Sequence, residues 1–186
     1  MLFLYRITIN LIVLLSPLII FFRLLKKKED PVRFKEKFCF FSNKKIKEKL
    51  IWFHGASVGE ILSILPLVEK LEKNKNIGQI LITSNTLSSS KILSNLKLKK
   101  TIHQFFPIDS NYHTKKFLDY WNPSLAIFID SEIWPNMIMA IKKKSIPLML
   151  LNGRITKKTF KKWKLFNKSA KSLFEIFDIC ISSNLK

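Results

Sequence analysis

Two short segments carry residues suited to acid–base chemistry: Ile51-Trp-Phe-His-Gly-Ala-Ser-Val-Gly-Glu60 and Ile129-Asp-Ser-Glu-Ile-Trp-Pro-Asn136. Each is an apolar run that ends in a polar turn bearing a glutamate, and each precedes a helical pattern. A carboxylate held at such a turn can take a proton from a hydroxyl in the transition state. Glu60 also has a purely structural reading. Ser57-Val-Gly-Glu60 has the Ser-x-x-Glu spacing of a capping box, in which serine and glutamate satisfy free amides at a helix start. Spacing alone favours that reading. For Glu132, acidic residues before a helix are commonly electrostatic, and Pro135 suits a first helical turn. Trp134 and Asn136 either line a pocket or pack. Arg154, in Asn152-Gly-Arg154, can bind a carboxylate or phosphate in two-pronged fashion, or stand solvated in a loop. Ser57 and Gly59 complete the candidate substrate-contacting set. Of the histidines at 54, 103 and 113, none shows ligand spacing, and His54 reads as a strand-end residue shaping the Glu60 turn.

The elements that must position these residues follow from the apolar pattern. Strands are expected at Ile51–His54, Gln79–Thr83, Gln104–Pro107, Leu125–Ile129, Leu148–Leu151 and Ile176–Ser182. Helical patterns lie between them at about 60–74, 87–98, 111–121, 135–144 and 155–174. Alternating strand and helix argues for an α/β domain, a Rossmann-like parallel sheet with helices on both faces. In such sheets ligands bind at the carboxyl ends of the strands, where both glutamates fall. The chain stops just after the last expected strand, abruptly for a finished domain.

The chain has 186 residues, 47% hydrophobic, and a net charge of +20. That length suits one domain better than two. Cys39 and Cys180 are far apart with no metal-like spacing, so neither a disulfide framework nor a metal site is expected. The positive charge implies an anionic partner: nucleic acid, or anionic membrane and phosphorylated lipid. A general bias toward Lys, Ile, Asn and Phe accounts for part of it. Lys142–Lys171 holds no Asp or Glu. Its helical part places Phe160, Trp163, Phe166, Ala170, Leu173 and Phe174 in a stripe against a lysine face running from Lys157 to Lys171. The stripe reads as core-facing, or as a surface that meets anionic lipid.

Residues 1–25 are mostly apolar, and the basic run Lys26–Lys28 follows. About 20 apolar residues are needed to span a bilayer. Pro17 and two arginines make this stretch marginal, and no small-residue cleavage site follows it. It reads as an uncleaved anchor, spanning or interfacial, with a buried core helix as the alternative. Lysines directly after it favour keeping the rest of the chain in the cytoplasm. Residues 26–49 form a charged connector, and 50–186 the α/β domain.

Taken in order, Lys28-Glu-Asp-Pro-Val-Arg-Phe-Lys-Glu-Lys-Phe38, His54-Gly-Ala-Ser-Val-Gly-Glu60, Asp130-Ser-Glu-Ile-Trp-Pro-Asn136 and Asn152-Gly-Arg-Ile155 resemble the 3-deoxy-D-manno-octulosonic acid (Kdo) transferases. The likeness covers essentially the whole chain, and the two glutamate motifs together are specific. It implies an inverting, metal-independent glycosyltransferase of the two-domain GT-B type, needing no cofactor. Such an enzyme moves Kdo from CMP-Kdo onto a lipid A precursor at the cytoplasmic face of the bacterial inner membrane, with no nucleic acid involved. The resemblance makes Glu60 the general base and places Glu132 in the active centre. The chain departs from the family pattern at Cys39, where glycine is usual, and at Ser88-Ser89. It matches only the anchor and the acceptor-side half. The C-terminal domain, which holds most of the CMP-Kdo site, is not matched, so the chain alone is not expected to bind the donor. The rival reading is a non-catalytic, membrane-tethered basic module or a relic of such an enzyme.

Overall fold

The computed structural model describes residues 2–155, 157–165 and 167–182. The first helix, α1 (Leu2–Leu25), is long and apolar enough to cross a membrane by length and composition. A short 3-10 helix follows at Arg33–Phe38. It closes on Cys39, whose φ of 58° lies in the left-handed region, the conformation that glycine adopts most readily. The Cys39 side chain is nevertheless buried in the core.

Six strands then alternate with helices: β1 (Leu50–His54), α2 (Val58–Glu72), β2 (Gln79–Ser84), α3 (Leu87–Ser94), β3 (Thr101–Phe105), α4 (Asn111–Trp121), β4 (Leu125–Ile129), α5 (Pro135–Lys143), β5 (Leu148–Gly153), α6 (Lys157–Leu165), α7 (Asn167–Phe174) and β6 (Ile179–Ser182). All pairings are parallel, and the order across the sheet is β3-β2-β1-β4-β5-β6. The expected Rossmann-like sheet is therefore present. Parallel strands need a crossover between them, and the alternating helices supply it.

Both faces of the sheet are covered. On one, Leu50, Trp52, Phe128 and Leu148 pack with Phe117 and Trp121 of α4 and with Met137, Ile138 and Ile141 of α5. On the other, Phe53, Ile80, Ile82 and Ile127 pack with Ile61, Ile64 and Val68 of α2. Successive residues of β1 thus feed opposite cores, which is why its run is apolar without interruption.

Several element boundaries differ from expectation, among them the helix expected at 87–98, which ends at Ser94. β3 begins at Thr101 and ends at Phe105, because its register against β2 pairs Ile80 with Thr101 and Ser84 with Phe105; Pro107 has no N–H to extend it. β6 starts three residues late, since Ile176 and Phe177 pack into the core instead. The helix expected at 155–174 is found as helical at Lys157–Leu165 and Asn167–Phe174, and Phe166 between them lies outside the described residues. Of its aromatic stripe, Trp163 meets Phe174 edge-on at 5.5 Å, and Leu173 is buried. Phe160 is exposed. Phe166 and the side chains of Lys157, Lys158 and Lys162 lie outside the described residues.

Candidate active site

The sheet order reverses between β1 and β4, the place where open α/β sheets bind ligands. Glu60 follows β1 and Glu132 follows β4, so the two acidic turns are neighbours in space.

The Glu60 turn is held by its own residues. Ser57 is the N-cap of α2 and its Oγ accepts from the Glu60 N–H, at 3.4 Å. The Glu60 carboxylate returns to the turn: Oε1 accepts from Ser57 Oγ (2.6 Å) and Oε2 from the Ala56 N–H (2.8 Å). This is the capping box, displaced by one residue at its amide. Each carboxylate oxygen still has a lone pair with which to accept a proton. Gly55 has no left-handed φ. Its importance is space, because a Cβ there would sit 3.1 Å from Glu60 Cβ and 3.1 Å from Ile129 Cδ1. A Cβ at Gly59 would meet nothing within 4 Å, so Gly59 faces open space.

Glu60 lines a cavity of about 230 Å³ with Ser57, Gly59, Ser63, Asp130, Asn152 and Arg154. Asp130 and Asn152 hold left-handed φ values of 59° and 56°. Asp and Asn tolerate that conformation better than most residues, and it turns both β-strand ends toward the cavity. Arg154 Nε stands 3.5 Å from Asp130 Oδ2, with 63% of its side chain exposed. The guanidinium thus offers most of its donors to a ligand beside the Glu60 carboxylate.

The Glu132 turn is held from elsewhere. Its Oε2 accepts from Trp134 Nε1 (2.7 Å) and lies 3.3 Å from His54 Nε2. His54 is fully buried, stacked on Phe106 at 3.8 Å, with Nδ1 3.0 Å from Thr83 Oγ1. Burial alone would raise the Glu132 pKa. The hydrogen bond and attraction from His54, with the bond from Trp134, outweigh it and hold the carboxyl below the usual glutamate range. His54 therefore positions Glu132. It ends β1, as expected, but its hydrogen bonds go to Thr83 and Glu132 and none goes to Glu60.

Asn136 lies apart from the Glu60 cavity. It is buried, its N–H donates to Asp109 Oδ2 (3.0 Å) and its side-chain amide to the Asp109 carbonyl. Arg6 of α1 donates to Asn136 Oδ1 at 3.2 Å. Asp109 also accepts from the Met137 N–H (2.7 Å) and from Tyr5 Oη (2.7 Å). It thereby caps α5, whose own N-cap, Trp134, makes no side-chain cap bond. Burial pushes the Asp109 carboxyl up to about 6, with the bonds from Tyr5, Asn136 and Met137 opposing.

Of the six residues singled out from the sequence, Ser57, Gly59, Glu60 and Arg154 gather around one cavity. Glu132 stands on the adjoining turn, and Asn136 joins α1 to α5. Asp130 and Asn152 were missed as cavity residues. A signal existed, since each is an Asp or Asn just beyond an apolar strand. Asp109 carried no signal at all. Among the described residues, no three of His, Cys, Asp and Glu converge as metal ligands would.

Comparison with known proteins fits this geometry. The family described as 3-Deoxy-D-manno-octulosonic-acid transferase (kdotransferase) matches residues 32–185. A Rickettsia bellii 3-deoxy-D-manno-octulosonic acid transferase is 45% identical over 78% of this chain and 35% of its own length. A protein of Arabidopsis thaliana, named as a probable mitochondrial 3-deoxy-D-manno-octulosonic acid transferase, is 37% identical over 87% of this chain and 37% of its own. The Haemophilus influenzae transferase is 28% identical over 79% and 35%. The chain thus spans about a third of the length of the curated relatives it matches. A crystal structure from Listeria monocytogenes, carrying the name of a UDP-N-acetylglucosamine 2-epimerase, aligns with a TM-score of 0.53 at 14% identity. It covers 73% of this chain and 38% of its own; at that identity it speaks for the fold alone. With the motifs, the sheet and the family match in agreement, the chain belongs to the 3-deoxy-D-manno-octulosonic-acid transferase family.

Proposed function

We propose that the chain is the acceptor-side half of a glycosyltransferase that moves Kdo from CMP-Kdo to a lipid A precursor at the cytoplasmic face of the inner membrane. The observation that carries the reading is the Glu60 carboxylate, fixed by its own turn and facing a cavity that also presents Arg154. A sugar hydroxyl of the acceptor enters that cavity and gives its proton to Glu60. The acceptor oxygen attacks the anomeric carbon of Kdo as the bond to CMP breaks, and CMP departs with the electron pair. A single displacement of this kind inverts the anomeric centre. Arg154 holds an anionic group of the acceptor while Ser57 keeps the base oriented. Glu132, held ionised by His54 and Trp134, supplies fixed negative charge at the adjoining turn. The donor nucleotide is bound mainly by a second α/β domain, as the GT-B type requires.

The test is reconstitution. The chain is joined to the C-terminal domain of the Rickettsia bellii relative and assayed for Kdo transfer to a lipid A precursor. Product formed by the chimera, and none by the chain alone, is the expected result. A folded chimera that binds CMP-Kdo yet makes no product overturns the reading in favour of a binding module. The isolated chain should show no heat of binding with CMP-Kdo, and micromolar binding would contradict the division of labour.

A further inference from the structure

α1 has two faces of opposite character. Leu4, Ile7, Leu11, Leu14, Leu18, Phe22 and Leu25 are all exposed, and they recur every three or four residues on one stripe. The opposite stripe faces the domain. Leu2 packs against the main core. Tyr5 and Arg6 bond to Asp109 and Asn136, 104 and 130 residues away. Ile9, Ser16 and Ile20 are buried. Asn10 and Val13 share a cavity wall with the start of α4, and the exposed Leu14 stands at its rim.

These contacts fix how much of the helix is available to a bilayer. The buried stripe runs from Leu2 to Ile20, about 28 Å of a helix about 36 Å long. The remainder, Phe21–Leu25, is about 8 Å, roughly a quarter of the ~30 Å hydrocarbon core. A spanning helix would also have to strip Tyr5 and Arg6 from buried polar partners. A helix lying flat keeps every one of these bonds and still buries its apolar stripe.

Charge points the same way. Beside Arg6, a cavity of about 610 Å³ opens between α1, α4 and α5, and Lys115, Lys143 and Lys144 line it. Asp119 is its one acidic residue, paired with Lys144 at 2.7 Å. Three positive charges remain in excess beside α1, suited to anionic headgroups.

We propose that α1 lies in the plane of one leaflet of an anionic bilayer, its leucine stripe in the acyl boundary, while the Arg6–Lys115–Lys143–Lys144 cavity takes the phosphate of a neighbouring lipid. This rests on the membrane location given above and specifies its geometry.

The full chain, with Cys180→Ser, buried Cys39 retained as an unlabelled thiol, and one added cysteine at position 4, 11, 18 or 22 labelled with an environment-sensitive fluorophore, is mixed with vesicles of phosphatidylglycerol and phosphatidylcholine. All four labels should report one shallow depth by depth-dependent quenching, and external dithionite should bleach all of them. Position 11 near the midplane, with 4 and 22 in opposite leaflets, overturns the flat arrangement but leaves the membrane location standing. No vesicle binding overturns both. Labels already buried before vesicles are added, and unchanged after, mean that a second copy covers the stripe, and overturn it too. Lys115→Ala with Lys143→Ala should weaken binding to phosphatidylglycerol vesicles on the order of tenfold and leave phosphatidylcholine binding unchanged. An equal loss on both lipids, or no loss, removes the cavity from the proposal. Asp119→Asn, which unmasks Lys144, should strengthen phosphatidylglycerol binding, and a lack of gain counts against it.

Discussion

The two acidic turns at the centre of the sheet are alike in outline and opposite in support. After β1, the helix α2 is capped by its own Ser57, and Glu60 is held by Ser57 and Ala56. After β4, the helix α5 has no cap of its own, and Asp109 supplies one from the loop before α4. Glu132 there depends on His54 of β1. A self-held carboxylate can keep its geometry while neighbours move. A carboxylate held from across the sheet is correct only when β1 and β4 are both in place. The first arrangement suits the role of base proposed for Glu60. The second ties an ionised group to the completed fold.

The largest expected effect comes from the self-held turn. In the reconstituted enzyme, Glu60→Gln should lower the rate about 10²–10⁴-fold, the usual worth of general base catalysis. The amide can still meet Ala56 and Ser57, so melting should shift little. If Glu60 were only a cap, activity would survive and stability would fall by about 1 kcal/mol. Turnover and melting measured on one preparation separate the two.

The imported cap should show itself through pH. The Asp109 carboxyl is raised to about 6 in the fold, against about 3.9 when unfolded. Its raised value means that the folded state binds the proton more tightly. The favourable contribution is therefore complete below about pH 4 and is lost as pH rises through about 6, on the order of 3 kcal/mol in all. Asp109→Asn removes the titration. Denaturation from pH 3.5 to 7 should show wild type losing stability relative to the variant across that window, and parallel curves would contradict it.

His54→Gln tests the Glu132 turn. It should cost about 1–3 kcal/mol at pH 7, the usual penalty for stripping a partner from a buried polar group. Glu132 is held below its ordinary pKa, so its contribution is present above the unfolded value and lost as pH falls through the folded one. The difference between wild type and variant should thus shrink below about pH 4. A difference independent of pH would mean that His54 serves by packing on Phe106 alone.

The smallest effects concern backbone and space. Gly55→Ala forces Glu60 or Ile129 to yield a few tenths of an ångström. It should cost about 1 kcal/mol, with a loss of rate larger than that of Ser57→Ala. Asp130→Ala should destabilise by about 1 kcal/mol more than Asp130→Gly, because only glycine adopts φ near 59° without strain. Equal melting points would show that the pairing with Arg154, and not the backbone, makes Asp130 useful.

The sequence alone determined the alternation of strand and helix, the placing of both glutamates at strand ends, and the Ser57–Glu60 box. These depend on apolar period and on bonds spanning three or four residues, which any chain segment carries with it. It could not indicate that His54 serves Glu132, 78 residues away, and not its nearer neighbour Glu60. Nor could it reveal that Asp109 caps α5 and that α1 is tied to the same carboxylate by Tyr5. Asn136 reads as a site residue beside Glu132, yet the fold spends both its amide and its N–H on Asp109. Those pairings exist only because β1 lies against β4 and α1 against α4 and α5. Adjacency of that kind is decided when the sheet closes and each buried polar group takes the partner within reach.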